Sequence, residues 1–190
     1  MSDKLKHVGQ LTQMPDLSSI ERRAAHIKLL LMDCDGVLTD GHVWLIESGD
    51  EQKSFNVRDG LGLALWHRAG LKSGIISGRS SSCVARRASE LNIEFVRQGG
   101  EDKLKHFEEL LSQAGVEERE VAFVGDDLND IPLMLRSEFA VAVADAAEET
   151  RAIAHYVTRA PGGNGAVRET IELILKAQGR WSELVRKYLE

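Results

Sequence analysis

The sequence predicts an α/β fold, a doubly wound and mostly parallel sheet with helices on both faces and an inserted β-hairpin. Three observations support this. Short apolar runs alternate with helical segments from residue 59 onward, a pattern typical of repeated strand-helix units. Polar residues follow several of the apolar runs, as expected where the strands of such a sheet end. A chain of 190 residues with 43% hydrophobic residues is suited to one domain with a substantial core.

The first part of the chain departs from this alternation. Residues 1–15 are polar and aperiodic, so we expect a tail, followed by a short amphipathic helix over 16–25 and a strand from about residue 27. Residues 42–57 place alternating apolar positions around a Ser48-Gly49-Asp50 turn, which indicates a hairpin. Because the hairpin interrupts the strand-helix order, we interpret it as an insertion that serves something other than the sheet.

The remaining elements follow in regular order. Helices are predicted over 59–69, 80–91, 102–114, 130–135, 147–153, 164–177 and 180–188, and strands over 72–76, 93–96, 120–124, 139–143 and 155–157. The chain shows no internal repeat and no linker long enough to divide domains. We therefore expect an N-terminal tail and short helix over 1–26, one domain over 27–178 and a C-terminal helical tail over 179–190.

Composition excludes several functional classes. A net charge of −6 argues against non-specific binding to nucleic acid or to an anionic membrane. No apolar stretch reaches transmembrane length, and the N-terminus has no hydrophobic signal core. The two cysteines, Cys34 and Cys83, fit free thiols in a reducing compartment better than a disulfide framework. We therefore expect a cytoplasmic protein.

A pair of carboxylates, Asp33 and Asp35, ends the first apolar run, Leu29 to Met32, and is followed by Gly36. Alternation along a strand points both carboxylates to the same side. Two like charges at that distance repel each other, so the pair implies a bound divalent cation, and hard oxygen ligands favour magnesium. The alternative is a solvated acidic turn after a core strand.

Two further segments carry groups suited to an anion. Ser77-Gly78-Arg79 follows the strand predicted over 72–76 and is expected at a helix N-terminus, where free N–H groups attract anions. Simple helix capping is the alternative. Lys103 stands at the opening of the next helix, where it opposes the helix dipole. It is therefore either an incidental surface charge or a residue placed to meet a phosphate.

A fourth polar segment, Gly125-Asp126-Asp127-Leu-Asn-Asp130, follows another apolar run. Gly125 permits a tight turn, and Asp126 is expected to join Asp33 on the metal. Asp127 and Asp130 would either orient the ligand or bind through a metal-bound water. Either Asp126 or Asp127 is also able to cap the following helix, although capping does not account for three carboxylates.

In order and spacing, these four segments resemble the four motifs of the haloacid dehalogenase-like phosphohydrolases. One such motif is weak evidence, whereas the ordered set is specific. Six further segments resemble segments of family members that act on sugar acid phosphates. These segments lie at 37–41, 55–60, 77–79, 124–127, 141–145 and 162–169, and the resemblance as a whole covers about residues 27–178. The resemblance implies a Rossmann-like core, and no stretch of the chain is long enough for a separate cap domain.

The resemblance also implies roles for the motif residues. Asp33 would attack phosphorus and become an aspartyl phosphate, while Asp35 would protonate the leaving oxygen and then activate water. Magnesium would be held by the carboxylates of Asp33 and Asp126 and by the backbone carbonyl of Asp35. Ser77, which stands where the family often has Thr, and Lys103 would hold the phosphoryl oxygens.

Contacts to substrate and to other chains are implied in the same way. The residues that match the family's substrate-binding segments are Asn56, Arg58, Asp59, Gly60, Gly78, Arg79 and Arg87. The three arginines are suited to a substrate carboxylate, although surface charges are the alternative. The resemblance further implies a homo-oligomer, a tetramer assembled through the hairpin, with neighbouring chains covering each site. Trp44, Leu45 and Ile46 are consistent with such a contact; a hairpin folded onto its own domain is the alternative.

Four functions remain open from the sequence alone. The resemblance favours a magnesium-dependent phosphatase of a sugar acid phosphate. A related phosphatase of another nonulosonate phosphate, or a non-catalytic domain like that appended to acylneuraminate cytidylyltransferases, is the nearer alternative. A receiver-type signalling domain shares the aspartyl phosphate, magnesium, hydroxyl and lysine, but lacks an acid placed like Asp35. Sustained release of phosphate would distinguish an enzyme from such a receiver.

Overall fold

The computed structural model describes residues 17–47, 51–100 and 102–190, and its core is a six-stranded parallel sheet. Along the sheet, the strand order is β5-β4-β1-β6-β7-β8. Their bounds are β1 Leu29–Met32, β4 Lys72–Ser77, β5 Phe95–Gln98, β6 Val121–Gly125, β7 Phe139–Ala142 and β8 Tyr156–Val157. Two short antiparallel strands, β2 Trp44–Leu45 and β3 Glu51–Gln52, form the inserted hairpin.

Eight α-helices precede, connect or follow these strands in the described ranges. They are α1 Leu17–Ala24, α2 Val57–Arg68, α3 Ser82–Glu90, α4 Lys103–Ala114, α5 Ile131–Arg136, α6 Glu148–Ile153, α7 Ala166–Ala177 and α8 Trp181–Arg186. Helices α1 and α2 both pack against α7, whereas α4 and α6 both pack against α5. The predicted doubly wound sheet with a hairpin is confirmed, and the described ranges contain no separate cap domain.

Strand β1 lies at the centre because its four residues, all apolar, are completely buried. A strand buried on both faces reads as a continuous apolar run, which is how Leu29 to Met32 appears in the sequence. Parallel pairing sets Met32 beside Ile75 of β4 on one side and beside Val124 of β6 on the other. The residues that follow these three strands therefore emerge at the same edge of the sheet.

The structure corrects several predicted boundaries. The strands of the hairpin are much shorter than predicted, and Val57, expected in the hairpin, begins α2 with Asn56 as its N-cap. Strand β5 covers Phe95–Gln98 instead of 93–96, and Asn92, in the turn after α3, has a positive φ of 55°. The predicted tail over 1–15 and the Ser48-Gly49-Asp50 turn lie outside the described residues.

Both ends of the described chain pack on the domain. Ile20 and Ala24 of α1 are buried, and Gln178 Nε2 after α7 donates hydrogen bonds to the carbonyls of Ala24 and Ile27. Trp181 of α8 is partly buried against the core. None of the described helices has the length and apolar composition required to cross a membrane.

Candidate active site

The carboxyl ends of β1, β4 and β6 surround a cavity of about 260 Å³. Asp33 directly follows β1, Ser77 is the last residue of β4, and Asp126 directly follows β6. The lining residues are Asp33, Asp35, Gly41, Ser77, Gly78, Arg79, Asp126, Asp127 and Asn129. Three segments separated by up to 93 residues thus meet because their strands are neighbours in one parallel sheet.

Asp33 is held at the floor of this cavity by a lysine and a backbone amide. Its Oδ2 lies 3.0 Å from Lys103 Nζ, and its Oδ1 accepts a 2.7 Å hydrogen bond from the N–H of Cys34. Burial, and secondly the Asp130 carboxylate, raises the pKa of Asp33 to about 7, although Lys103 opposes this rise. Because only 6% of Asp33 is exposed, its charge depends on the cations placed beside it.

Asp126 faces Asp33 and has an oxygen without a partner. Its Oδ1 is buried and makes no hydrogen bond to any described residue. One oxygen from each of Asp33, Asp126 and Asp130 lies within 4.8 Å of the others. Burial, followed by Asp130 and Asp33, raises the pKa of Asp126 to about 8. Three crowded carboxylates with an unpartnered oxygen fit a divalent cation that prefers oxygen ligands.

The backbone of the neighbouring loop leaves room for Asp126 only because Gly36 has no side chain. A Cβ at this position would lie 2.1 Å from Asp126 Oδ2, and Gly36 has a φ of +86° that other residues rarely adopt. The glycine after Asp35 therefore both turns the chain and admits the carboxylate of another strand.

Asp130 organises the surrounding groups and is itself completely buried. Its Oδ1 accepts a 2.8 Å hydrogen bond from Lys103 Nζ, and its Oδ2 accepts hydrogen bonds from the N–H groups of Asp126 (3.0 Å) and Asp127 (3.4 Å). Asp127 caps the following turn by accepting a 2.7 Å bond from the N–H of Leu128. Of the alternatives open in the sequence, the geometry therefore favours capping for Asp127 and orientation of the site for Asp130.

Lys103 is not a surface charge in this structure. It is the first residue of α4, only 5% of it is exposed, and it contacts both Asp33 and Asp130. Burial acts to lower the pKa of Lys103, but the carboxylates of Asp33 and Asp130 outweigh it and raise that pKa. A permanent positive charge therefore lies beside Asp33.

Ser77 and Arg79 lie at the cavity, but not at a helix N-terminus as predicted. Helix α3 begins at Ser82 with Ser81 as its N-cap, so a turn separates the helix from Ser77. The buried Ser77 hydroxyl oxygen accepts a 3.3 Å hydrogen bond from the N–H of Arg79. Ser77 thus presents a hydroxyl to the cavity without the support of the helix dipole.

The carboxylate of Asp35 is contacted by two cations, Lys53 and Arg79, of which only Arg79 is predicted from the sequence. Lys53, from the residues after β3, forms an ion pair with Asp35 Oδ1, and Arg79 Nε lies 3.6 Å from Oδ2. Glu51 lies 3.5 Å from Lys53 and 2.9 Å from Arg79. No periodicity singles out Lys53 in the sequence, because its contact depends on how the hairpin folds back over the loop after β1.

Two of the predicted substrate-binding residues make hydrogen bonds that stabilise the fold. Asn56 caps α2 by accepting a 2.8 Å hydrogen bond from the N–H of Arg58. Asp59 is 1% exposed, and its carboxylate accepts hydrogen bonds from the N–H groups of Gly165 (3.2 Å) and Arg168 (2.7 Å) at the start of α7. Both oxygens of Asp59 therefore have partners within the fold, and the expectation that Asp59 contacts substrate stays a prediction.

Arg58, Gly60 and Arg87 also lie outside the lining of the cavity. Arg58 is exposed and lines a separate groove of about 700 Å³ with residues of α7. The Arg87 guanidinium lies 5.8 Å from the centre of the Phe55 ring, and a Cβ on Gly60 would come within 2.8 Å of its Nη2. Of the three arginines considered, the described structure brings only Arg79 to the cavity.

The chain is similar in sequence to known phosphatases and matches a known hydrolase family. A family model described as haloacid dehalogenase-like hydrolase matches residues 77–169. The chain is 43% identical over 166 residues to the 3-deoxy-D-manno-octulosonate 8-phosphate phosphatase KdsC of Yersinia pestis, covering 87% of this chain and 89% of the relative.

Solved structures agree with this similarity. One is the 3-deoxy-D-manno-octulosonate 8-phosphate phosphatase of Moraxella catarrhalis, solved in complex with a magnesium ion, a phosphate ion and a KDO molecule. It superposes with a TM-score of 0.88 and is 43% identical in sequence, and the match covers 90% of this chain and 98% of that one. A probable YrbI family phosphatase of Pseudomonas syringae pv. phaseolica 1448a has a TM-score of 0.89 and 45% identity, covering 91% and 98%. The similarity therefore extends over almost the whole of each relative.

Proposed function

Since the chain belongs to the 3-deoxy-D-manno-octulosonate 8-phosphate phosphatases, within the haloacid dehalogenase-like hydrolases, we propose that it hydrolyses this ester to 3-deoxy-D-manno-octulosonate and phosphate. The observation that carries the proposal is the meeting of Asp33, Lys103, Asp126 and Asp130 at one edge of the sheet. Such a phosphatase supplies a sugar acid for lipopolysaccharide precursors.

Asp33 is the proposed nucleophile. An oxygen of its carboxylate bonds to phosphorus as the bond from phosphorus to the sugar oxygen breaks, which leaves an aspartyl phosphate. Asp35 gives its proton to the departing sugar oxygen. Asp35 then takes a proton from water, whose oxygen attacks phosphorus and releases phosphate, so that both carboxyl groups return to their starting states.

Magnesium is the proposed cofactor, and the chain's oxygen ligands fit it. The carboxylates of Asp33 and Asp126, together with the backbone carbonyl of Asp35, would hold the ion. When bound, it neutralises negative charge on the phosphoryl group and on the carboxylates around it. The unpartnered Oδ1 of Asp126 supports this assignment, because a buried carboxylate oxygen without a donor needs another positive partner.

Lys103, Ser77 and Gly78 are proposed to bind the phosphoryl oxygens. Lys103 provides a positive charge that Asp130 keeps in place, and Ser77 provides a hydroxyl at the cavity wall. Arg79, with 55% of its side chain exposed beside Asp35, is proposed to bind the substrate carboxylate. Substrate contacts by Asn56, Arg58, Asp59, Gly60 and Arg87 remain predictions. The division of the chain at residues 26 and 178 is also a prediction.

A cytoplasmic homotetramer is the proposed assembly. Without a cap domain, the cavity needs another surface to cover it, and the hairpin is the apolar candidate. The exposed fractions of Trp44 and Leu45 are 64% and 80%, which is large for neighbouring apolar side chains on one ribbon. The hairpin's Lys53 nevertheless contacts Asp35 of its own chain, so a role in assembly and a role at the site are both proposed for this insertion.

A phosphate-release assay tests the function. Purified protein is incubated with 3-deoxy-D-manno-octulosonate 8-phosphate and magnesium, with and without a chelator, and with nine-carbon sugar acid phosphates for comparison. We expect repeated turnover that the chelator abolishes and that is fastest on the eight-carbon ester. Faster turnover of a nine-carbon ester would contradict the substrate assignment, and one equivalent of phosphate without further release would favour a receiver. Asp33→Asn is expected to fold and to have no measurable activity.

A further inference from the structure

The hairpin delivers a completely buried ammonium group to the side chain of Asp35. The Lys53 side chain is 0% exposed and pairs with Asp35 Oδ1. Glu51, from the same hairpin, lies 3.5 Å from Lys53 and 2.9 Å from Arg79. Two cations and two carboxylates therefore form one cluster between the hairpin, the loop after β1 and the turn after β4.

We propose that Lys53, itself held by Glu51, is a positioning residue that orients Asp35 for proton transfer to the leaving sugar oxygen. This inference rests on the proposed phosphatase function. Lys53 acts through Asp35 in this proposal and does not itself contact the reacting atoms.

The hydrogen bonds of Asp35 support this role. Lys53 Nζ donates to Oδ1, whereas Oδ2 accepts no hydrogen bond from any residue in the described ranges, and Arg79 Nε, its cationic neighbour, lies 3.6 Å away. An oxygen that accepts from an ammonium group is poorly placed to carry a proton as well. The contact thus leaves Oδ2 as the oxygen from which a proton can pass to the substrate.

A purely stabilising role explains the cluster less well. Removing an ammonium group from water costs several kcal/mol by the general scale for buried ions, and apolar replacements of buried ion pairs are often neutral or stabilising. A buried lysine aimed at the general acid is better explained by the geometry of the reaction.

The proposal makes the effect of Lys53 depend on the leaving group. Departure of a sugar alkoxide needs a proton from Asp35, whereas p-nitrophenolate leaves readily without one. Misplacing the acid should therefore slow hydrolysis of the sugar ester far more than hydrolysis of p-nitrophenyl phosphate. A general loss of folded protein would reduce both activities by the same factor.

The test compares kcat and KM of the full chain and of Lys53→Met on both esters, with magnesium present. General acids contribute on the order of 10² to 10⁴ in rate, so we expect kcat on the sugar ester to fall by about 10²-fold with little change in KM. On the aryl ester, we expect a loss of less than about tenfold. Lys28→Met is the matched control, since Lys28 is exposed and precedes β1 at the opposite end of the sheet, and both activities should be kept.

Glu51→Gln provides a second variant if Lys53→Met does not fold. The amide keeps an acceptor for Arg79 but removes the charge beside Lys53. We therefore expect kcat on the sugar ester to fall less than in Lys53→Met, with kcat on the aryl ester unchanged. Equal losses on the two esters, or no loss on the sugar ester, would overturn the proposal. If the unaltered protein hydrolyses only the aryl ester, the proposed substrate is wrong, and the comparison of Lys53 is then made on another primary alkyl phosphate.

Discussion

Lys103 Nζ lies 3.0 Å from Asp33 Oδ2 and 2.8 Å from Asp130 Oδ1. One ammonium group thus joins the residue after β1 to the residue that ends the turn after β6. Both carboxylates are buried, so the lysine compensates charges that water does not reach. This contact explains why a lysine occupies the first turn of α4, where the helix dipole disfavours a positive charge.

Lys103→Met is expected to lower kcat by about 10² to 10³-fold, the usual effect of removing one preorganised electrostatic contact. The substitution also leaves Asp33 and Asp130 without their shared cation. The melting temperature of the metal-free variant, measured in the presence of a chelator, should therefore be lower than that of the unaltered protein. Lys105→Met is the control, because this exposed lysine lies two residues further along the same helix. A Lys103 variant with the kinetics of the Lys105 control would exclude Lys103 from the chemistry.

The acidic cluster should make metal stabilisation dependent on pH. In the metal-free protein the pKa of Asp126 is raised from its ordinary value of 3.8 to about 8, mainly by burial. Between those values the folded protein binds more protons than the unfolded chain, so the free energy of unfolding falls as pH rises through this window. Magnesium binds the ionised carboxylates and should therefore raise the melting temperature more at about pH 8 than at about pH 5.

Melting curves with magnesium and with a chelator, recorded across this pH range, measure the effect. The difference between the two curves at each pH removes contributions from groups remote from the metal. Asp126→Asn should largely abolish this difference at every pH. An equal magnesium effect at both ends of the range would contradict the assignment of Asp126 as a ligand.

Asp59→Ala is expected to destabilise the fold and to leave the chemistry intact. The substitution leaves the N–H groups of Gly165 and Arg168 without their buried acceptor, which typically costs about 1–3 kcal/mol in the free energy of unfolding. Denaturant unfolding measures the loss, and kcat per folded molecule should stay within about threefold of the unaltered value. A rise in KM without loss of stability would instead support Asp59 as a residue that binds substrate.

Leu45→Lys is expected to dissociate the proposed tetramer. Leu45 is 80% exposed in the single chain, and a charge at an apolar contact between chains opposes its burial. Light scattering after size-exclusion chromatography gives the mass in solution. Leu135→Lys is the control, since Leu135 is also well exposed but lies on α5. If both variants have the mass of the unaltered protein, the hairpin is not the contact between chains.

The sequence was sufficient to predict the parallel sheet and the four polar segments at its edge. Strand-helix alternation is a local property, and polar residues after buried strands must emerge where the strands end. Asp33, Ser77 and Asp126 are therefore expected at one edge of the sheet from the strand pattern, and the resemblance to the phosphohydrolases adds Lys103 to them. The capping alternative for Asp127 and the burial of Lys103 needed coordinates, because capping and ligand binding use the same residue types.

The contacts of Lys53 and Asp59 depended on long-range packing. Lys53 reaches Asp35 only because the hairpin folds back over the loop after β1, and Asp59 is occupied only because α7 begins beside α2. A sequence displays periodicity and spacing along one chain, so it identifies which residues emerge at the edge of a sheet. It does not display which distant amide or ammonium group occupies a given carboxylate, since that pairing is set when separate elements pack together.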